Sequence, residues 1–223
     1  MLAQFVLFDG FDPLDVIAPY EVLYAAGMLT EGAVRVELVT AEGPREVLSS
    51  LPPLSLRATA ALAPERADVI ILPGAAGDPR SPEELGEQER DATIGSVLRR
   101  ALDTDLPRLA EEALERPDTL VATVCGGSLL LALAGLIKGR PAATHASGLG
   151  LLEAAGARPV DARVVDDGDL ITGAGVTSGL DLALHLVERE IGPQVAHAVE
   201  RLFAHERRGI VWADRGTAPS HTF

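Results

Sequence analysis

Cysteine occurs once among the 223 residues, which excludes an internal disulfide and any zinc site built from several cysteines. A lone free thiol suits a reducing compartment. Aromatic residues are scarce at 4%, so Leu, Val, Ile and Ala must fill the core. Basic residues are outnumbered, 19 Lys and Arg against 33 Asp and Glu, for a net charge of −14. Such a chain lacks the clustered cations on which nucleic-acid affinity rests, and its acidity reads as solubility charge. Long apolar runs are missing as well. The longest, around 128–137, falls far short of the ~20 residues needed to cross a bilayer, so no membrane partner is expected. The opening MLAQFVLFDG has no basic segment and only a short apolar run, unlike a signal peptide. Cytoplasmic residence follows as the expectation. No histidine and carboxylate pair has metal-binding spacing, so no metal is expected.

What is present is an alternation of buried strands and helices. Phe5 to Phe8 reads as a strand ending at the turn Asp9-Gly10, and Asp12-Pro13 as the cap and first turn of a helix. That helix should turn Leu14, Ile17, Val22 and Leu23 inward, with Pro19 a point where it kinks or splits. Val34 to Thr40 alternates in the strand period, and Gly43 to Pro53 reads as irregular or edge structure. Asp68 to Leu72 (DVIIL) is a continuous apolar run, as expected of a central parallel strand covered on both faces. About 78–117 is polar and rich in Glu and Arg, and predicts a helical insertion of about three short helices. Thr119 to Val124 is again a buried strand, followed by an apolar helix over Ser128 to Ile137. Ala142 to Thr144 is a short strand. Arg163 to Val165 and Leu170 to Thr172 flank an acidic turn as a hairpin. A long helix should run from Thr177 to about Ala204. The whole reads as one α/β domain over 1–208, with a mostly parallel sheet and a loosely ordered tail over 209–223.

The chemistry concentrates at Cys125. TLVATV-C-GG-SLLLALAG puts it on a tight strand-to-helix turn, where a nucleophile is presented at strained backbone angles and glycines relieve crowding. N–H groups at the start of the helix favour a thiolate and can stabilise an anion formed by addition. A buried inert cysteine is the competing reading, and the turn alone leaves both open. Asp15 follows the first strand, so it lies at the same end of a parallel sheet and could exchange a proton with the thiol. Asp12 and Asp15 also suit a helix N-terminus with no chemistry at all. Pro73-Gly74-Ala75 ends the central strand, and its N–H groups could complete an anion site. His145 reads as a base or a structural histidine, while His185, His197 and His205 read as helix residues. Gly173-Ala174-Gly175 is only a weak phosphate-turn signal.

Taken together, FVLFDGFDPLDVIAP, DVIILPGA, VCGGSLLLALAGLIKGRPAATH and ARVVDDGDLITGAGVTSGLDLALHLVE resemble the ThiJ/PfpI superfamily (class I glutamine amidotransferase-like) over nearly the whole chain. The resemblance implies a flavodoxin-like fold with a nucleophile elbow, and is strongest to the isocyanide hydratase branch and to ligand-binding domains of AraC-type regulators. It implies Cys125 as nucleophile, Asp15 as the acid facing it, and Gly74, Ala75 and Gly126 as backbone donors, with Ile17, His145 and Ala146 in the pocket. The implied activity is cofactor-free hydration of an isocyanide to an N-substituted formamide, in a homodimer. The alternative is a non-catalytic small-molecule or oxidative-stress sensor. Three departures from the branch stand out. Gly126 replaces a threonine, Ile17-Ala18 stand where Thr-Gly is common, and Ala146 replaces an aromatic residue. Glycine rather than histidine after Cys125 argues against a PfpI-type protease, and aspartate at position 15 against the deglycase branch.

Overall fold

A computed structural model describes residues 1–78, 80, 86, 91 and 93–217. The first apolar run forms β1 (Leu2–Val6), buried along its whole length. Asp12 caps α1 (Pro13–Leu29), accepting from the Leu14 N–H at 2.9 Å, and Pro13 occupies the first turn, where no N–H is needed. Pro19 lies inside α1 without ending it. There follow β2 (Arg35–Thr40), β3 (Arg45–Leu48), β4 (Ser55–Ala58), β5 (Ala60–Ala61) and β6 (Val69–Leu72). The segment before the next strand holds α2 (Ile94–Leu102) and α3 (Leu106–Glu115). Next come β7 (Leu120–Thr123), α4 (Gly127–Leu133), β8 (Pro141–Ala142), α5 (Leu149–Ala154) and β9 (Arg158–Pro159). The chain closes with β10 (Val164–Asp166), β11 (Leu170–Gly173), α6 (Ser178–Glu190) and α7 (Pro193–Phe203).

Seven strands form one sheet in the order β10-β11-β7-β6-β1-β2-β5, parallel throughout except for the β10–β11 hairpin. The run DVIIL lies at its centre, as its unbroken apolarity requires. Helices α1, α6 and α7 pack together as one group, and α2, α3 and α4 as another. Where α1 meets α6, a Cβ on Gly179 would come within 3.0 Å of Pro19 Cδ. The proline inside α1 is thus matched by a glycine on the helix it faces. Connections leave β1 toward β2 on one side and bring the chain back to β6 on the other. The order therefore reverses between β1 and β6, the place where open α/β sheets form their ligand crevice.

Several expectations need correction. Leu14 is 44% exposed, and Val16 takes the buried place instead. Gly43 to Pro53 is not irregular throughout, because β3 pairs with β4 as an antiparallel hairpin. The long C-terminal helix is two helices, broken where Gly192 turns at φ 132° and Pro193 starts α7. Of the three short helices expected near 78–117, α2 and α3 are present, and positions 79, 81–85, 87–90 and 92 lie outside the described residues. The tail makes backbone contact with the sheet at Trp212. The Trp212 N–H donates to Val164 O at 2.9 Å, and Trp212 O accepts from the Asp166 N–H at 2.8 Å, which covers the β10 edge. Arg158 lies 5.5 Å from the Trp212 ring centroid and pairs with Asp214 at 2.6 Å.

Replacing the half-buried Trp212 with alanine removes that ring contact and uncovers the edge strand, and should cost about 1–3 kcal/mol. Urea unfolding followed by circular dichroism measures it; an unchanged midpoint would show that the segment merely rests on the sheet.

Candidate active site

Parallel strands deliver their carboxyl ends to one edge, and adjacent strands here each deliver a group. β1 leads to Asp15, β6 to Gly74 and Ala75, β7 to Cys125, and β11 to Gly173 and Ala174. The sheet order puts these exits side by side. The approach is close: a Cβ on Gly74 would lie 2.5 Å from Gly126 N and 3.0 Å from Asp15 Oδ2.

Cys125 adopts φ 53°, a left-handed conformation that non-glycine residues rarely hold. The turn is fixed from both sides. Its N–H lies 2.9 Å from Ala174 O and 3.1 Å from Gly173 O, and its carbonyl accepts from the Thr144 hydroxyl at 2.9 Å. Behind it, Gly127 runs against β6, where a Cβ would meet Leu72 O at 2.3 Å. Gly126 is different. It has ordinary helical angles (φ −71°, ψ 0°), and a Cβ there would find its nearest neighbour at 3.5 Å. Only the second glycine of the pair is demanded by packing.

Asp15 is fully buried. Its Oδ2 accepts from the Gly74 N–H at 2.9 Å, while Oδ1 has no partner of ordinary hydrogen-bond geometry. The Gly74 N–H is therefore committed to holding the acid, which leaves Ala75 and Gly126 of the three expected backbone donors. Burial, with the Asp12 charge as second cause, pushes the Asp15 carboxyl up to about 8 from its ordinary 3.8, against the pull of Gly74 and the thiol. Burial likewise pushes the Cys125 thiol up to about 12, reinforced by the negative charge of Asp15; the Gly126 N–H acts in the opposite direction and loses. The turn was expected to favour a thiolate. Desolvation outweighs that effect because the cysteine is only 7% exposed. At neutral pH the resting pair is a thiol beside a carboxylic acid.

The remaining residues singled out from sequence are more exposed than Cys125 and Asp15. Ile17 is half-buried on α1, two residues beyond Asp15. His145 and Ala146 are exposed, and His145 Nδ1 is occupied by Ser147, at 2.7 Å from its hydroxyl and 3.3 Å from its N–H. His145 thus serves as a cap for the short turn at Ala146–Gly148. Thr144, its neighbour, is the residue that sequence reasoning missed. The only available signal was its place in the quoted run ending ATH. Gly173-Ala174-Gly175 was read as a weak phosphate turn, and supplies instead the carbonyls that hold the cysteine N–H. Among the described residues no group of three or more His, Cys, Asp or Glu is placed to hold a metal ion.

Gly127→Ala should cost about 1–3 kcal/mol by overpacking against β6, whereas Gly126→Ala should stay within about 0.5 kcal/mol of wild type. Thermal unfolding of the two variants side by side checks the contrast, and equal losses would contradict it. Titration of Asp15 gives a further expectation. Between pH about 4 and 8 the unfolded carboxyl loses a proton that the native one keeps, so stability falls as pH rises, by at most about 1.4 kcal/mol per unit. Asp15→Asn lacks this loss. Its unfolding free energy relative to wild type should climb from pH 4 to 8 and level off above; a flat difference would refute the raised carboxyl.

The DJ-1/PfpI family matches residues 1–189. Isonitrile hydratase of Pseudomonas putida is 34% identical over 197 residues, spanning 88% of this chain and 75% of that protein. The transcriptional regulator GbdR of Pseudomonas aeruginosa is 33% identical over 98 residues, 43% of this chain and 27% of the regulator. A ThiJ/PfpI family protein from Pseudomonas syringae superposes with a TM-score of 0.74 at 25% identity, covering 93% of this chain and 76% of that one. A family match over most of the length, on a sheet and elbow of this form, leads to one conclusion: the chain belongs to the DJ-1/PfpI family.

Proposed function

We propose that this protein is a cofactor-free cysteine enzyme that hydrates a small electrophile, and that the electrophile is an isocyanide, converted to an N-substituted formamide. The observation that carries this reading is the buried Asp15 carboxyl, its Oδ1 unengaged, coupled to the Cys125 thiol at the elbow. A carboxyl pushed up to about 8 keeps its proton at neutral pH and can donate it. An isocyanide, R–NC, is neutral and ends in a carbon that accepts both a nucleophile and a proton. Sulfur adds to that carbon, Asp15 gives it a proton, and the thiol proton replaces the one lost from the carboxyl. The product is an enzyme-bound thioimidate, R–N=CH–S. Water then adds to the same carbon while nitrogen takes a proton; the C–S bond breaks, the thiol is restored and R–NH–CHO leaves. One isocyanide and one water give one formamide, with no change of oxidation state in the protein. The Ala75 and Gly126 N–H groups stabilise the negative charge that builds as each nucleophile adds. The 34% identity to an isonitrile hydratase supports this substrate class.

The reading includes a homodimer in a reducing, cytoplasmic compartment. Exposed Tyr24, Met28 and Leu202 on the adjoining α1 and α7 offer an apolar face for the dimer. Among the described residues no helix is long and apolar enough to cross a membrane. A second reading, a small-molecule sensor without turnover, draws on the 98-residue likeness to GbdR.

Purified protein incubated with an aryl and an alkyl isocyanide should produce formamide. Cys125→Ala should abolish it, and Asp15→Asn should slow it by about 10²–10⁴-fold. Turnover that survives in Cys125→Ala would sink the mechanism. Isocyanide-dependent stabilisation without turnover would transfer the assignment to the sensor.

A further inference from the structure

We propose that the C-terminal segment forms, with α6 and β10, a second small-molecule site whose ligand carries an oxyanion (a carboxylate or a phosphate) on a partly apolar body. A cavity of about 450 Å³ opens there. Arg189, Arg207, Arg208 and Arg215 line it together with His185, against only two carboxylates, Asp181 and Glu188. In a chain with 33 acidic and 19 basic residues, this wall reverses the overall balance.

Both carboxylates are already engaged. Asp181 is 3% exposed, and it accepts from Arg163 Nε at 2.6 Å and from the Arg208 N–H at 2.8 Å. Glu188 pairs with Arg207. Arg189 is taken up by Asp166 and Glu190. The guanidinium groups of Arg208 and Arg215 have no acidic partner among the described residues, and the neighbouring Asp214 turns away to Arg158. Arg208 and Arg215 both line the cavity, and a guanidinium fork without an acidic partner is suited to bidentate binding of a carboxylate or phosphate.

The wall is also pre-organised. The Arg208 N–H is tied to Asp181, and Trp212 pairs on both sides with β10, so the backbone on either side of the cavity mouth is fixed before any ligand arrives. Val164, Val211 and the 90% exposed Ile210 supply the apolar surface. None of the residues that line the cavity belongs to the elbow, and along α6 the lining runs from Asp181 to Arg189. The site does not depend on the hydratase reading.

Thermal unfolding of the full chain in inorganic phosphate and in malonate, each against sodium chloride of equal ionic strength, tests this. One of the two should give a saturable rise of about 3–6 °C at ten times its Kd, and the one acting at lower concentration identifies the anion. The rise should vanish in Arg208→Ala/Arg215→Ala and persist in Arg35→Ala/Arg57→Ala, which removes the same charge elsewhere. Phenylglyoxal labelling read by mass spectrometry gives a second measurement on wild-type protein: the effective anion should protect Arg208 and Arg215 selectively. A rise that chloride reproduces, or that survives in the Arg208/Arg215 variant, overturns the site, as does labelling that no anion slows.

Discussion

The site depends on a single left-handed residue. Holding Cys125 at positive φ costs about 1–2 kcal/mol, and such strain persists only where the surroundings over-determine it. Two carbonyls from the β11 exit hold the N–H, the Thr144 hydroxyl holds the carbonyl, and Gly127 lets α4 start directly against β6. Each restraint comes from a different part of the chain, so the thiol is positioned by the assembled sheet rather than by its own sequence. The same convergence fixes the acid. Asp15 is held by the Gly74 N–H at the end of the central strand, and Gly74 is glycine because Gly126 passes too close for a Cβ.

Much of this frame can be read from residue order. DVIIL is apolar at every position because helices cover both faces of its sheet, and it does lie at the centre. The acidic hairpin between β10 and β11 and the Asp12-Pro13 start of α1 are local signals, and both appear. Non-local features were harder. The β3–β4 hairpin lies in a Pro- and Ser-rich stretch whose pairing is decided by partner strands rather than by propensity. Gly192-Pro193 interrupts one continuous apolar periodicity, and the helix breaks there. Trp212 reads as an isolated aromatic in a polar tail until β10 appears with an uncovered edge.

At the site itself, the presence of an elbow was legible and its electrostatics were not. An elbow cysteine at a helix start suggests a lowered thiol, and that would hold in a half-open cleft. Here the thiol is nearly enclosed and sits beside a carboxyl that is itself dry, so desolvation governs both groups. Burial depth is a tertiary property, absent from any short motif. The acceptor of the Gly74 N–H is illegible for the same reason, since a lone Pro-Gly turn gives no sign that it lies 59 residues earlier.

This electrostatic state bears on which function the site can serve. Burial pushes the Cys125 thiol up, so the protonated thiol is its resting form at neutral pH. Oxidation and alkylation both proceed through thiolate, so a raised thiol disfavours each. An oxidant sensor needs the reverse, a thiol that is ionised before its target arrives. Substrate turnover does not. On the proposed reading a neutral electrophile needs no counter-charge at the buried thiol, and sulfur becomes nucleophilic only as its proton moves to the neighbouring carboxyl. On that reading the destabilising burial of Asp15 has a purpose: it stores, next to sulfur, a proton for the reacting carbon.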